Sequence, residues 1–127
     1  MKAGTLLAVL AITAYLGFEA YAIKKASHRT KPSYIYNVLA ESHAAARLCQ
    51  FGDETLRRKF DSTMARVKIQ FNDDLLEQLS AEDANRRIAE VTEKASARVQ
   101  SLAESDDCSS QVMKDYFQRF RIYARRS

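Results

Sequence analysis

The stretch that decides the fold is residues 54–79, ETLRRKFDSTMARVKIQFNDDLLEQL. Residues at intervals of three or four lie on one side of an α-helix, whereas a half-buried strand needs alternation with a period of two. The stretch therefore predicts one long amphipathic helix with a single apolar stripe. The large apolar side chains of that stripe are Leu56, Phe60, Met64, Val67, Phe71, Leu75 and Leu79.

A first helix is predicted before this stretch, over residues 33–51. Pro32 suits its first turn, because proline lacks the backbone N–H that a first turn leaves unpaired. Gly52 favours the end of the helix, since glycine readily adopts the left-handed conformation that closes many helices. Asp53 then provides the N-cap of the second helix.

Two more helices are predicted after the stretch. The third, over residues 81–103, follows Ser80 as N-cap, and the fourth, over residues 108–124, is rich in aromatic residues. With three glycines and one proline, the chain lacks the turn residues of a β-sandwich or barrel. We therefore predict an all-α fold with an up-down antiparallel bundle of about four helices over residues 33–124.

A hydrophobic segment precedes the bundle, since residues 4–23 carry Glu19 as their only charge. A helix of this length is roughly 30 Å long, about the thickness of a hydrocarbon core. Two interpretations remain open. The segment is either an uncleaved signal anchor that spans a membrane once, or a signal peptide cut after the small residues Ala20 and Ala22.

The predicted organisation has four parts. They are a signal anchor or signal peptide over residues 1–25, a basic linker over residues 26–32, the helical bundle domain over residues 33–124 and a basic tail over residues 125–127.

The two cysteines, Cys49 and Cys108, support this topology. One ends the first bundle helix and the other starts the fourth. In an up-down bundle these positions lie at the same end, because the second and third helices run out and back over similar lengths. We therefore predict a disulfide, which places the domain in the periplasm or an equivalent oxidising compartment. Two free structural thiols are the alternative.

The net charge of +4 is unevenly distributed along the chain. Residues 1–31 carry five basic residues and one acidic residue. Residues 32–113 carry ten basic and fourteen acidic residues, and residues 114–127 carry five basic residues and one acidic residue. The bundle topology brings both basic ends to one pole, where each basic residue near an anionic leaflet contributes about 1 kcal/mol. Complementing the dipole of the last helix is the alternative role of its arginines. The predicted membrane-proximal basic cluster comprises Lys24, Lys25, Arg29, Lys31, Arg121, Arg125 and Arg126.

Residues suited to catalysis or metal binding are sparse. The sequence has two histidines, His28 and His43, and no H-x-x-x-H or C-x-x-C spacing of the kind that zinc sites use. A di-iron Glu-x-x-His motif is missing, because Glu41 lies two residues from His43. We therefore predict no enzyme activity, no metal site and no cofactor. A bundle that carries metal, or haem held by His43 with Met64 or Met113, is an alternative.

Surface recognition is the remaining class of role. The fourth helix has a wide aromatic face, which serves either core packing or contact with a partner, and which consists of Tyr116, Phe117, Phe120 and Tyr123. The acidic body of the chain disfavours nucleic acid, and no small-molecule substrate is evident.

The expected function is that of a noncatalytic, single-pass membrane-anchored helical protein. It would act as an accessory or structural subunit of a membrane-associated complex, with other protein subunits and membrane lipid as its partners. The alternative is a cleaved, soluble periplasmic or secreted helical module with a binding or chaperone-like role.

Overall fold

The structure is a computed structural model, and it describes residues 30–105 and 107–127. This part of the chain is helical and contains no strand, which confirms the predicted all-α class. The predicted hydrophobic segment, residues 1–25, lies outside the described residues. The helices are α1 (Pro32–Leu48), α2 (Glu54–Leu76), α3 (Ala81–Ser105) and α4 (Gln111–Ala124).

Helix α1 ends three residues earlier than predicted. Gln50 has a φ of 51°, in the left-handed region. The N–H of Phe51 donates to the carbonyl of Ala46 at 2.8 Å, the long bond of a Schellman motif. The assignment of Gly52 as the residue that closes α1 is therefore wrong, because Gln50 takes that position. Gly52, with a φ of 88°, shapes the loop that leads into α2.

Side-chain caps fix the starts of the other helices. The carboxylate of Asp53 accepts a hydrogen bond of 2.8 Å from the N–H of Leu56 at the start of α2. Ser80 Oγ accepts one of 3.2 Å from the N–H of Asp83 at the start of α3. These two predicted caps are confirmed. Helix α4 starts three residues later than predicted, because Ser110 is its N-cap.

Contacts of α1 give the directions of its neighbours. The ring of Tyr36, near the start of α1, lies 5.6 Å from that of Phe71, near the end of α2, so these helices are antiparallel. On α3, Tyr36 contacts Thr92 and Glu41 contacts Arg98. The second contact lies further along both helices than the first, so α1 and α3 are parallel.

Helices α2 and α4 are also parallel, so successive helices alternate in direction. Three contacts join α2 and α4 at a constant separation of 60 residues: Phe60 to Phe120, Thr63 to Tyr123 and Arg66 to Arg126. Thr63 Oγ1 donates to the carbonyl of Tyr123 at 2.9 Å, and the Arg66 guanidinium donates to the carbonyl of Arg126 at 3.1 Å. Side chains of α2 therefore add hydrogen bonds to carbonyls at and just beyond the end of α4.

The four helices do not pack in chain order around a square. Helices α1 and α2 form a central pair, and each of them contacts both α3 and α4. Across the described residues, the backbones of α3 and α4 seldom approach each other, although Val99 of α3 shares a core cluster with Met113 and Tyr116 of α4. The core includes the fully buried side chains of Leu39, Phe60, Val99, Met113 and Phe120.

Candidate functional site

A large open groove lies between α2 and α3, with α1 as its floor. Its cavity volume of about 1300 Å³ exceeds the roughly 300–1,000 Å³ typical of small-molecule sites. Along α3 the groove extends from Asn85 to Gln100, which corresponds to roughly 22 Å at a helical rise of about 1.5 Å per residue. The groove therefore has the length of a segment of helix rather than that of a small ligand.

Small side chains on all three helices leave this groove open. Its lining includes Ala44 of α1, Ala65 of α2, and Ala89 and Ala97 of α3. Larger residues at these positions would fill the space between α2 and α3. Because methyl groups present little bulk, the backbone of a bound helix can approach closely.

His43 lies on the groove floor and is half-buried. Its ring stacks on Phe60 with the ring centroids 6.0 Å apart, and its Nε2 lies 3.7 Å from a carboxylate oxygen of Asp61. Burial lowers the pKa of His43 below its usual 6.5, an effect that the charge of Asp61 opposes and that of Arg47 reinforces. The imidazole is therefore predominantly neutral at pH 7 and offers one donor and one acceptor.

A second, smaller cavity of about 380 Å³ shares this part of α1. His43, Arg47 and Asp61 line both cavities, and the smaller one adds Arg57 and Phe120. The Arg57 guanidinium is already engaged, since it donates two hydrogen bonds to the carbonyl of Gly52 at 2.7 and 3.0 Å. The cavity thus belongs to the packing around the loop between α1 and α2.

A buried carboxylate that was not predicted from the sequence joins three helices. Glu41 of α1 accepts hydrogen bonds from Arg98 of α3 and from the hydroxyl of Tyr116 of α4, the latter at 3.1 Å. Burial raises the pKa of Tyr116, and the charge of Glu41 adds to this effect. The one available signal is helical register, because Glu41 lies four residues before the buried Ala45.

Cys49 and Cys108 form a disulfide, as predicted, with their Cα atoms 5.8 Å apart. It ties the end of α1 to the loop before α4. Cys108 is exposed and Cys49 is half-buried. The disulfide thus marks one end of the bundle.

The described part of the predicted basic cluster is divided among separate places. Lys31 precedes α1 at the end opposite the disulfide, whereas Arg125 and Arg126 follow the short helix α4 and lie level with Arg66, near the middle of α2. Arg121 instead lies 4.8 Å over the ring of Phe51, in the loop between α1 and α2. The cluster members outside the described residues are Lys24, Lys25 and Arg29.

The pole that holds Lys31 also carries acidic residues. Because successive helices alternate in direction, the turn between α2 and α3 lies at the same end as the start of α1. The pole is therefore of mixed charge, which the segment charges did not indicate. Its acidic residues, around that turn, are Asp73, Asp74, Glu77, Glu82 and Asp83.

Packing within the bundle uses most of the aromatic face of α4. Tyr116 is 6% exposed and Phe120 is 1% exposed. Phe117 is half-buried and stacks on Phe51 with the ring centroids 4.4 Å apart, and Tyr123 is also half-buried. Phe117 and Tyr123 are thus the members of this face that a second protein can still touch.

The described residues include neither a cluster suited to metal binding nor a helix suited to a membrane span. Within residues 30–105 and 107–127, no three or more His, Cys, Asp or Glu side chains are grouped so that they could hold a metal ion. None of the helices α1 to α4 combines the length and the apolar character that a membrane span requires.

No protein-family model, curated protein sequence or solved structure matches this chain. Its function must therefore be inferred from its own residues.

Proposed function

We propose that this chain is a noncatalytic, single-pass membrane-anchored helical protein that serves as an accessory or structural subunit of a membrane-associated complex. Its four-helix domain resides in the periplasm or an equivalent oxidising compartment. The observation that carries this proposal is the disulfide between Cys49 and Cys108.

The disulfide supports a location outside the cytosol. Structural disulfides persist in oxidising compartments and are rare where glutathione and thioredoxin keep thiols reduced. A chain that reaches such a compartment needs an export signal, and residues 4–23 have the length and apolar character of one. Retention of this segment would hold the domain at the membrane.

The groove supports the role of a subunit. An amphipathic helix commonly binds by laying its apolar face into a groove between helices. The space between α2 and α3 accommodates about fifteen residues of helix at a rise of about 1.5 Å per residue. We propose that a helix of another subunit occupies it, in contact with Ala89, Ala97 and the half-buried His43.

N-terminal sequencing of the native protein tests the anchor. We expect Met1 or its immediate neighbours at the N-terminus, together with resistance of the membrane-bound protein to carbonate extraction. A mature start at Ile23 would overturn the anchor. It would favour instead a soluble periplasmic or secreted binding module, the second candidate, which the small residues Ala20 and Ala22 support.

Obstruction of the groove tests the docking role. The Ala97→Phe variant places a ring in the groove, whereas Ala81→Phe makes the same change at an exposed position outside its lining. In native electrophoresis of mild detergent extracts, we expect the wild-type chain and the Ala81 variant to migrate within a larger complex and the Ala97 variant to migrate alone. Equal migration of all three would contradict docking in the groove.

A further inference from the structure

The outer face of α4 carries a concentration of arginines. Residues 114–127 contain five basic residues and one acidic residue, a net +4. Ile122, two residues from the buried Phe120, is 40% exposed and therefore lies on the outer face of α4. Exposed arginines surround it at positions 119, 121, 125 and 126.

Three of these arginines are held in place by aromatic rings. The guanidinium of Arg119 lies 5.7 Å from the ring centroid of Tyr116, that of Arg121 lies 4.8 Å from Phe51, and that of Arg126 lies 4.9 Å from Tyr123. Stacking restricts a guanidinium without neutralising its charge. Binding to these arginines therefore costs less side-chain conformational entropy than binding to unrestrained arginines.

Few carboxylates compete for this surface. Among the ion pairs of the described residues, none includes an arginine of α4 or of the residues that follow it. Asp115, the one acidic residue of α4, accepts a hydrogen bond of 3.0 Å from Gln111. Arg66 of α2, whose guanidinium bonds to the carbonyl of Arg126, extends the positive surface onto the neighbouring helix.

We propose that the outer face of α4 binds anionic phospholipid headgroups, so that the bundle lies with α4 along the leaflet. Ile122, ringed by arginines, combines an apolar contact with positive charge, as interfacial helices do. End-on contact is opposed, because the pole that holds Lys31 also carries the acidic residues around the turn between α2 and α3. The inference rests on the proposed membrane anchoring, which supplies the leaflet.

The test uses the full-length chain, labelled with an environment-sensitive fluorophore at a single introduced cysteine and mixed with vesicles. Gln118→Cys places the label on the outer face of α4, and Glu90→Cys places it on an exposed position of α3. The vesicles contain phosphatidylcholine alone or phosphatidylcholine with phosphatidylglycerol. We expect a blue shift for the α4 label with phosphatidylglycerol only, which added salt removes, and no shift for the α3 label.

Charge-matched variants assign the effect to the arginines. Arg119→Gln, Arg125→Gln and Arg126→Gln together remove three charges from the outer face of α4. The control, a triple Gln variant at Arg86, Arg87 and Lys94, removes three charges from α3. At about fivefold per basic residue, the equilibrium constant for headgroup contact should fall about a hundredfold in the first variant and remain unchanged in the second.

Circular dichroism verifies that both variants fold. If the α4 triple variant does not fold, Arg125→Gln alone provides the test through a fivefold loss, because Arg125 is exposed and stacks on no ring of the described residues. A blue shift that does not depend on phosphatidylglycerol, or an equal loss in the two triple variants, would overturn the inference. Tighter binding to a single-stranded oligonucleotide than to phosphatidylglycerol vesicles would overturn the assignment to lipid.

Flotation separates this inference from the proposed anchoring. A chain that floats with phosphatidylcholine alone but gives no phosphatidylglycerol-dependent shift retains its anchor and contradicts headgroup binding. A chain that does not float with phosphatidylcholine alone but shifts with phosphatidylglycerol contradicts the anchor and supports headgroup binding.

Discussion

The hydroxyl of Tyr116 on α4 donates a hydrogen bond of 3.1 Å to the carboxylate of Glu41 on α1, although the two residues lie 75 positions apart in the sequence. Arg98 of α3 donates to the other oxygen of the same carboxylate. This carboxylate links α3 to α4 through α1. Because the three groups are bonded to one another, their effects on stability should be coupled.

A double-mutant cycle on Glu41 and Tyr116 measures this coupling. Glu41→Gln keeps the volume of the side chain. It replaces one of the two carboxylate oxygens, which accept from Arg98 and Tyr116, with an amide nitrogen that cannot accept a hydrogen bond. We expect it to lower the free energy of unfolding by about 1–3 kcal/mol. Tyr116→Phe should cost about 1 kcal/mol. Urea denaturation of the double variant should show less than the sum of the two losses, whereas strict additivity would contradict a shared hydrogen-bond network.

Removal of the disulfide should destabilise the domain without changing its helices. Cys49 and Cys108 are separated by 59 positions, and a closed loop of this length contributes about 4 kcal/mol in the chain-entropy account. The measurement compares the urea unfolding of oxidised wild type, reduced wild type and the double Ser variant. The last two should agree. A loss below about 1 kcal/mol would mean that the reduced, unfolded chain retains structure across this loop.

Two substitutions in the loop between α1 and α2 should change the stability in opposite directions, one by removing a glycine and the other by introducing one. Gly52→Ala forces a side chain into a φ of 88° and places its Cβ 3.1 Å from Leu56 Cδ2, so we expect a loss of about 1–2 kcal/mol. Gln50→Gly relieves the left-handed conformation of a residue with a side chain and should raise stability by about 0.5 kcal/mol. Thermal unfolding of the two variants checks both signs. A destabilised Gln50 variant would show that its side chain makes compensating contacts.

The stability of the domain should fall as the solution is acidified below pH 6.5. The folded state lowers the pKa of His43, so it binds fewer protons there than the unfolded chain does. The contribution of the neutral imidazole is therefore complete above pH 6.5 and is lost as the pH falls through the folded pKa. His43→Gln should flatten the dependence of stability on pH in this range. The control His28→Gln, at the other histidine, should leave that dependence unchanged. Denaturant titrations across this pH range provide the measurement.

The helices were predictable because apolar periodicity reports burial directly. Phe60, Val67 and Phe71 all lie on the buried side of α2, as the spacing required. The pairing of Cys49 with Cys108 followed from alternating helix directions alone. The end of α1 was misassigned because Gln50 adopts a conformation that favours glycine, while an actual glycine stands two residues later.

Other features depend on information that periodicity lacks. A stripe shows which side of a helix is buried but not which helix covers it, so the central position of α1 and α2 was not predictable. Glu41 was missed because carboxylates are rarely buried without partners, and its partners, Arg98 and Tyr116, lie far along the chain. The groove arises where Ala65 and Ala97 present methyl groups across a gap, and isolated alanines in a sequence give no such signal.

The packing of α4 against α1 and α2 has a consequence for the order of assembly. The buried Phe120 and Ala124 of α4 pack in a cluster with side chains of α1 and α2, and Met113 and Tyr116, nearer its start, share a second cluster with Val99 of α3 and Ala45 of α1. Contacts such as Glu41 to Tyr116 close long loops, which is slow compared with the pairing of adjacent helices. We therefore expect α1, α2 and α3 to associate while the chain is still being synthesised. The inner surface of α2 around Phe60 would then remain open to solvent until residues 111–124 arrive to cover it.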